Sequence, residues 1–250
     1  MATYLETPEG RSIAYSYSEG TGPTVVFLGG FMSDMEGSKA LFLEQWAVSQ
    51  GRAFLRFDYS GHGVSSGAFV DGAIGDWAED ARSVITALIE GPVILVGSSM
   101  GGWISCLLSK RLENRVAGFV GIAAAPDFTE DGFWANFSQE ERDRVMTDGR
   151  VDVPSDYGNA YPITRRLIED GRQNFVLRSE LKIAAPVRLL QGTEDASVTR
   201  ETALRLFDHI DSDDVHMEFV RGADHSFSSA LCLDILVRAI EEVLERGSAA

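Results

Sequence analysis

Apolar and polar positions along this chain alternate between two periods. Apolar-rich stretches at residues 24–28, 53–59, 93–97, 116–123, 187–191 and 216–220 read as strands. Stretches at 39–49, 76–89, 103–111 and 199–210 carry helical spacing between them. A last helix places Leu233, Leu236, Ile240 and Val243 on one apolar face. Strands without polar alternation are covered on both faces, and strands that alternate with helices pair in parallel. The pattern predicts an α/β fold with a mostly parallel central sheet flanked by helices. The chain opens differently: residues 4–7 and 12–17 flank Pro8-Glu9-Gly10 and predict a β-hairpin at one sheet edge.

One region breaks the rhythm. Residues 127–181 hold no strong strand, but they do hold helical fragments at 139–146 and 164–170 and the aromatics Phe128, Phe133, Trp134 and Phe137. A structureless loop of that length does not suit a compact domain. The expectation is a helical cap inserted into a core made of residues 1–126 and 182–250.

Composition narrows the class. A chain of 250 residues with 44% hydrophobic and 24% charged residues suits one large soluble domain. No apolar run approaches the ~18 residues of a spanning helix. The formal charge of −16 disfavours nucleic acid and anionic membranes as partners. It leaves room for a local cationic pocket, for which Arg165, Arg166 and Arg172 are candidates, although an exposed charged face is the plainer reading for them. Cys106 and Cys232 lack ligand spacing and read as reduced buried thiols. The start, Met1-Ala2-Thr3-Tyr4-Leu5-Glu6, carries no basic segment followed by an apolar one, which makes cytoplasmic residence the default expectation.

The chemistry centres on Gly97-Ser98-Ser99-Met100-Gly101, set between a strand and a helix. In that context a Gly-x-Ser-x-Gly turn projects its serine from the sheet edge and aims the helix N-terminus at the reacting centre. The serine needs a base. Of four histidines, His62 sits in a Gly-His-Gly turn, His209 in an amphipathic helix and His216 at a strand start, whereas His225 follows the last strand. With the order nucleophile, acid, histidine, Asp195 is the favoured acid and Asp127 its competitor; Glu194 should point away and Asp224 should be structural. An oxyanion needs two backbone donors, assigned to the amides of Phe31, after Gly29-Gly30, and Met100. No metal or organic cofactor is required.

Here the chain resembles the α/β-hydrolase superfamily. The match narrows through Arg56-Phe57-Asp58-Tyr59-Ser60-Gly61-His62-Gly63-Val64-Ser65, Gly91-Pro92, Gly101-Gly102-Trp103, Pro154-Ser155-Asp156-Tyr157 and Arg188-Leu189-Leu190. These look like a mitochondrial branch of palmitoyl-protein thioesterases that also acts as an acyl-glucuronide esterase. The resemblance implies a serine hydrolase of esters or thioesters, with small-molecule or acylated-protein substrates and the triad on Ser99, Asp195 and His225. The chain departs where many hydrolases have His-Gly, with Gly29-Gly30 in that place, and it shows no mitochondrial presequence. Carbon–carbon bond or lactone hydrolysis stays open, because the same triad supports both. A non-catalytic ligand-binding module is the reading from another class. Dehalogenase chemistry would require Asp at position 99.

Overall fold

In the computed structural model, which describes residues 3–154 and 160–247, the expected alternation is realised. In chain order the elements are β1 (Thr3–Glu6), β2 (Ser12–Ser18), β3 (Thr21–Leu28), α1 (Ser38–Ser49), β4 (Arg52–Phe57), α2 (Ile74–Leu88), β5 (Val93–Ser98), α3 (Met100–Arg111) and β6 (Val116–Ile122). Then come α4 (Gln139–Thr147), β7 (Arg150–Val153), β8 (Tyr161–Thr164), α5 (Arg165–Gln173) and β9 (Leu181–Lys182). The chain finishes with β10 (Val187–Gly192), α6 (Arg200–His209), β11 (Ile210–Asp211), β12 (Val215–Val220) and α7 (Ala230–Gly247).

Eight strands form one sheet in the order β1-β2-β4-β3-β5-β6-β10-β12. The opening hairpin and the β2–β4 pair are antiparallel, and every other pair in this sheet is parallel. The register brings the strand ends level: Leu28 faces Gly97, Ser98 faces Ile122 and Gly192 faces Val220. Loops leaving the carboxyl ends of β3, β5, β6, β10 and β12 therefore emerge along one edge, where ligands bind in open parallel sheets.

The central strands feed two cores with their period of two, whereas β1 and β12 at the sheet edges are mostly exposed or half-buried. Val26, Leu28 and Leu95 join the cluster under α2 and α3, with Trp77, Trp103 and Leu108. Val25, Phe27, Ile94 and Val96 join the cluster under α1 and α7, with Leu43, Leu236 and Ile240. Burial on both faces explains the unbroken apolar runs. On α7 the buried stripe is Cys232, Ile235, Leu236, Ala239, Ile240, Val243 and Leu244; Leu233 lies at its margin, partly buried. Both cysteines are free and buried, as their isolation in sequence predicts, and burial pushes the Cys106 thiol up to about 12.

The segment between β6 and β10 is more than helical. A π-helical turn at Thr129–Trp134 leads to α4, which a capping box closes: Glu141 N donates to Ser138 Oγ (3.2 Å) and Ser138 N donates to Glu141 Oε2 (2.8 Å). After α4, β7 and β8 pair antiparallel, Arg150 facing Thr164. Four-residue strands, one of them carrying Pro162, are too short to show a period of two, so the sequence pattern misses them. Ties to the core are specific. Trp103 Nε1 donates to Asn174 O (2.9 Å), and Arg166 pairs with Asp76 (2.5 Å) and Arg205 with Asp131 (2.8 Å). Of the residues in Pro154-Ser155-Asp156-Tyr157, the last three lie outside the described residues. No described helix is long and apolar enough to cross a membrane.

Candidate active site

Ser99 occupies the single residue between β5 and α3 with φ 54° and ψ −114°, a left-handed conformation costly for a residue with a Cβ. Its surroundings hold it there. Ser99 N donates to Ile122 O (2.9 Å), while Ser99 O accepts from Gly102 N (2.9 Å) and Ala125 N (3.0 Å). A Cβ on Gly101 would lie 2.0 Å from Leu28 O, and one on Gly97 would lie 2.3 Å from Gly101 O. Strand and helix approach closely enough to turn Ser99 outward only because those positions are glycine.

His225 joins Ser99 from the loop after β12. Its Nε2 stands 3.1 Å from Ser99 Oγ and its Nδ1 stands 2.9 Å from Asp195 Oδ2. Asp195, in the loop after β10, has a fully buried side chain. Oδ1 accepts from Ser197 N and Val198 N (2.8 Å each), and Oδ2 also accepts from Gln191 Nε2 (2.9 Å). Burial alone would raise the Asp195 pKa. The hydrogen bond and charge of His225, with the Val198 and Ser197 amides, outweigh burial and hold the carboxyl below its ordinary value. Asp195 is thus kept as an anion facing His225 Nδ1.

The competitor, Asp127, is occupied elsewhere. Its buried carboxylate accepts from Val176 N (2.9 Å), Leu177 N (3.1 Å) and Arg178, and so anchors the segment leading into β9. Asp224 accepts from Ser226 Oγ (2.7 Å) and Phe227 N (3.1 Å), a turn-forming role. The remaining histidines are also apart from Ser99. His62 is packed against Tyr59, Phe69 and Trp77, and burial pushes its pKa down to about 4. His209 Nε2 meets Ser179 O (2.7 Å), and exposed His216 lies 3.5 Å from Asp214.

Phe31 follows β3 in a loop that the segment after β4 buttresses. Met35 N donates to Asp58 Oδ1 (2.7 Å), Val64 N donates to Asp58 Oδ2 (2.9 Å), and Ser33 Oγ donates to Gly30 O (2.8 Å). Met32 takes φ 55° in the resulting turn. Among the described residues neither the Phe31 nor the Met100 amide donates to a protein acceptor.

A cavity of about 560 Å³ opens over Ser99 and His225. One wall is aromatic. The Phe31 ring stands 5.4 Å from Phe128, 6.2 Å from Phe133 and 5.3 Å from Tyr161, and all four line the cavity. The side chain of Phe31 thus matters as much as its amide, which the motif alone does not reveal. Trp134 and Phe137 do not line the cavity: Trp134 lies under the Arg142 and Arg172 guanidiniums, and Phe137 is buried. The three candidate arginines are committed within the protein, Arg165 to Glu169 (2.7 Å), Arg166 to Asp76 and Arg172 to Glu130 (2.7 Å). Among the described lysines and arginines, the one that lines the cavity is Lys39 of α1, which carries no sequence signal beyond its place in a first helical turn. Among the described residues no group of three His, Cys, Asp or Glu side chains is placed to hold a metal ion.

The sequence matches the alpha/beta hydrolase family over residues 25–231. It is 33% identical over 251 residues to the mitochondrial palmitoyl-protein thioesterase ABHD10 of Bos taurus, covering 98% of this chain and 81% of that protein. A crystal structure from Agrobacterium vitis S4 superposes with a TM-score of 0.94 at 38% identity, covering 98% of each chain. The mouse alpha/beta hydrolase domain-containing protein 10 superposes with a TM-score of 0.90 at 30% identity, covering 98% of this chain and 99% of that one. On its sheet, its elbow and these matches, the chain belongs to the α/β-hydrolase family.

Proposed function

We propose that this protein is a serine hydrolase that cleaves carboxylic esters or thioesters through an acyl-enzyme, with Ser99, His225 and Asp195 as its triad. The observation that carries the reading is the continuous relay from Ser99 Oγ to His225 Nε2 (3.1 Å) and from His225 Nδ1 to Asp195 Oδ2 (2.9 Å). Ser99 Oγ attacks the carbonyl carbon and gives its proton to His225 Nε2. The oxyanion formed accepts from the Phe31 and Met100 amides, donors worth about 3 kcal/mol of barrier each. His225 then protonates the departing oxygen or sulfur as its bond to carbon breaks. Water, deprotonated by His225, releases the acid and restores Ser99.

The aromatic wall supports an acyl chain as the group transferred to Ser99. The likeness to palmitoyl-protein thioesterases favours a long one. The residues 127–181 read as the cap that supplies Phe128, Phe133 and Tyr161 to this wall. A fluorophosphonate probe tests the nucleophile: it should label the folded protein at Ser99 and leave Ser99→Ala unlabelled. Thioester and oxyester hydrolysis should vanish in parallel. A folded protein that takes no label would return the chain to the class of binding modules.

A further inference from the structure

The eight-stranded sheet ends in two edges that are built differently. β1 is only four residues long, and short edge strands resist pairing with another chain. β12 spans six residues, and its register with β10 runs from Val187–Val215 to Gly192–Val220 without a bulge. It holds no Pro or Lys, the residues that commonly blunt an edge. Val187 N donates to Asp214 O (2.8 Å) and Thr193 N donates to Val220 O (3.0 Å), so the even-numbered residues of β12 turn their backbone groups to β10. Val215, Met217 and Phe219 turn theirs the other way, where no described strand pairs with them. The edge is apolar as well as open. The Phe219 ring is 38% exposed, and Leu204 is exposed on α6, the helix that packs against β12.

The order of side chains along this strand is self-complementary. Run antiparallel against a second copy about a two-fold axis at Met217, it sets Val215 opposite the partner's Phe219 and His216 opposite the partner's Glu218. Just beyond the strand ends, Asp213 comes alongside the partner's Arg221. The outward backbone groups of Val215, Met217 and Phe219 then meet one another, as an antiparallel ladder requires. Other registers are worse. An axis at Glu218 puts that carboxylate against its own copy, and one at His216 sets Asp214 opposite the partner's Glu218, both like-charge pairs. Axes at Val215 or Phe219 leave most of the strand unpaired. Exposed Asp213, Glu218 and Arg221 belong to none of the ion pairs among the described residues. We propose that β12 is a homodimer interface, along which two copies of this chain pair antiparallel about Met217 and join their sheets into one. The contact is the same patch on both subunits, so it closes at two chains.

Sedimentation equilibrium of the full chain, from about 1 to about 100 μM, reads the assembly directly. It should show a reversible equilibrium between one chain and two. Met217→Pro removes an outward N–H without touching the ladder to β10 and should leave only monomer. His216→Glu places a carboxylate opposite the partner's Glu218 at two symmetric positions and should weaken the dimer roughly tenfold. Adding Glu218→Lys to that variant makes both positions attractive again and should restore the dimer. Should Met217→Pro fail to fold, the exposed charge pair decides alone. A monomer across the whole range would overturn the proposal, and so would mass that keeps growing beyond two chains. A dimer indifferent to His216→Glu lies on another surface, and weakening that Glu218→Lys does not reverse excludes this register; either result overturns the proposal.

Discussion

Gln191 Nε2 donates to the same Asp195 oxygen that His225 Nδ1 faces, both at 2.9 Å. The same amide also donates to Val198 O (3.0 Å). One buried side chain near the end of β10 therefore fixes both the carboxylate and the loop that carries it. Replacing it leaves Asp195 with one fewer partner and the loop unpinned. Gln191→Leu should lower kcat/KM by about tenfold, the scale of one hydrogen bond to a charged group, with fluorophosphonate labelling of Ser99 slowed but not lost. Unchanged kinetics would show that the Ser197 and Val198 amides alone suffice.

The two candidate acids predict opposite phenotypes. Asp195→Asn keeps the shape but offers His225 the wrong hydrogen-bond partner, and should lower kcat on the order of 10⁴-fold while unfolding near the same denaturant concentration. Asp127→Ala strands the Val176 and Leu177 amides and Arg178. It should cost about 3 kcal/mol of stability and leave kcat of the folded fraction within a factor of a few. Denaturant midpoints and active-site titration together decide between them; the reverse pattern would make Asp127 the acid.

His62 gives the protein an acid sensitivity of its own. Its folded pKa of about 4 lies below the ordinary value of 6.5, because the ring is buried. Above 6.5 both folded and unfolded chains hold it neutral, and it exerts no pH effect. As pH falls from 6.5 towards 4, the unfolded chain takes up a proton that the native one excludes, and stability declines by up to about 1.4 kcal/mol per pH unit. Below about 4 both states are protonated and the loss levels off. His62→Gln should be less stable at pH 7 and yet show a shallower loss between pH 6.5 and 5 in urea unfolding. An equal slope in both proteins would assign the acid sensitivity to other groups.

The centre of the sheet was legible because its strands are buried on both faces, and Val25 to Leu28 or Ile94 to Val96 can then be nothing but apolar. The elbow was legible for a steric reason, since Gly97 and Gly101 admit no side chain. His225 and Asp195 followed from chain order, because each must sit after a strand whose end reaches the same edge. What stayed hidden depends on contacts distant in sequence. Gln191 looks like any polar residue near a strand end until Asp195 folds back four residues on. Lys39 reads as a solvated helix residue until the loop with Ser226 closes over it. Trp134 has the same apolar character as Phe133, and only the helical phase turns one to the arginines and the other to the cavity.

The aromatic wall makes the last prediction. Phe133 meets Phe128 at 5.7 Å and Phe31 at 6.2 Å, and all three line the cavity over Ser99. If the acyl chain lies along these rings, each methylene added should contribute up to about 0.8 kcal/mol to transition-state binding until the wall ends. With the leaving group held constant, kcat/KM should climb from acetyl through octanoyl. Phe133→Ala removes a ring from the wall and should flatten the climb, lowering octanoyl turnover far more than acetyl. Because Phe133 is only partly buried, the substitution should cost less stability than a change in the core, and a thermal midpoint will confirm that the fold persists. A preference for acetyl esters in the unmutated protein would overturn the long-chain assignment and leave the chemistry at Ser99 untouched. A climb that survives Phe133→Ala would move the chain-binding surface to the rings of Phe31, Phe128 and Tyr161.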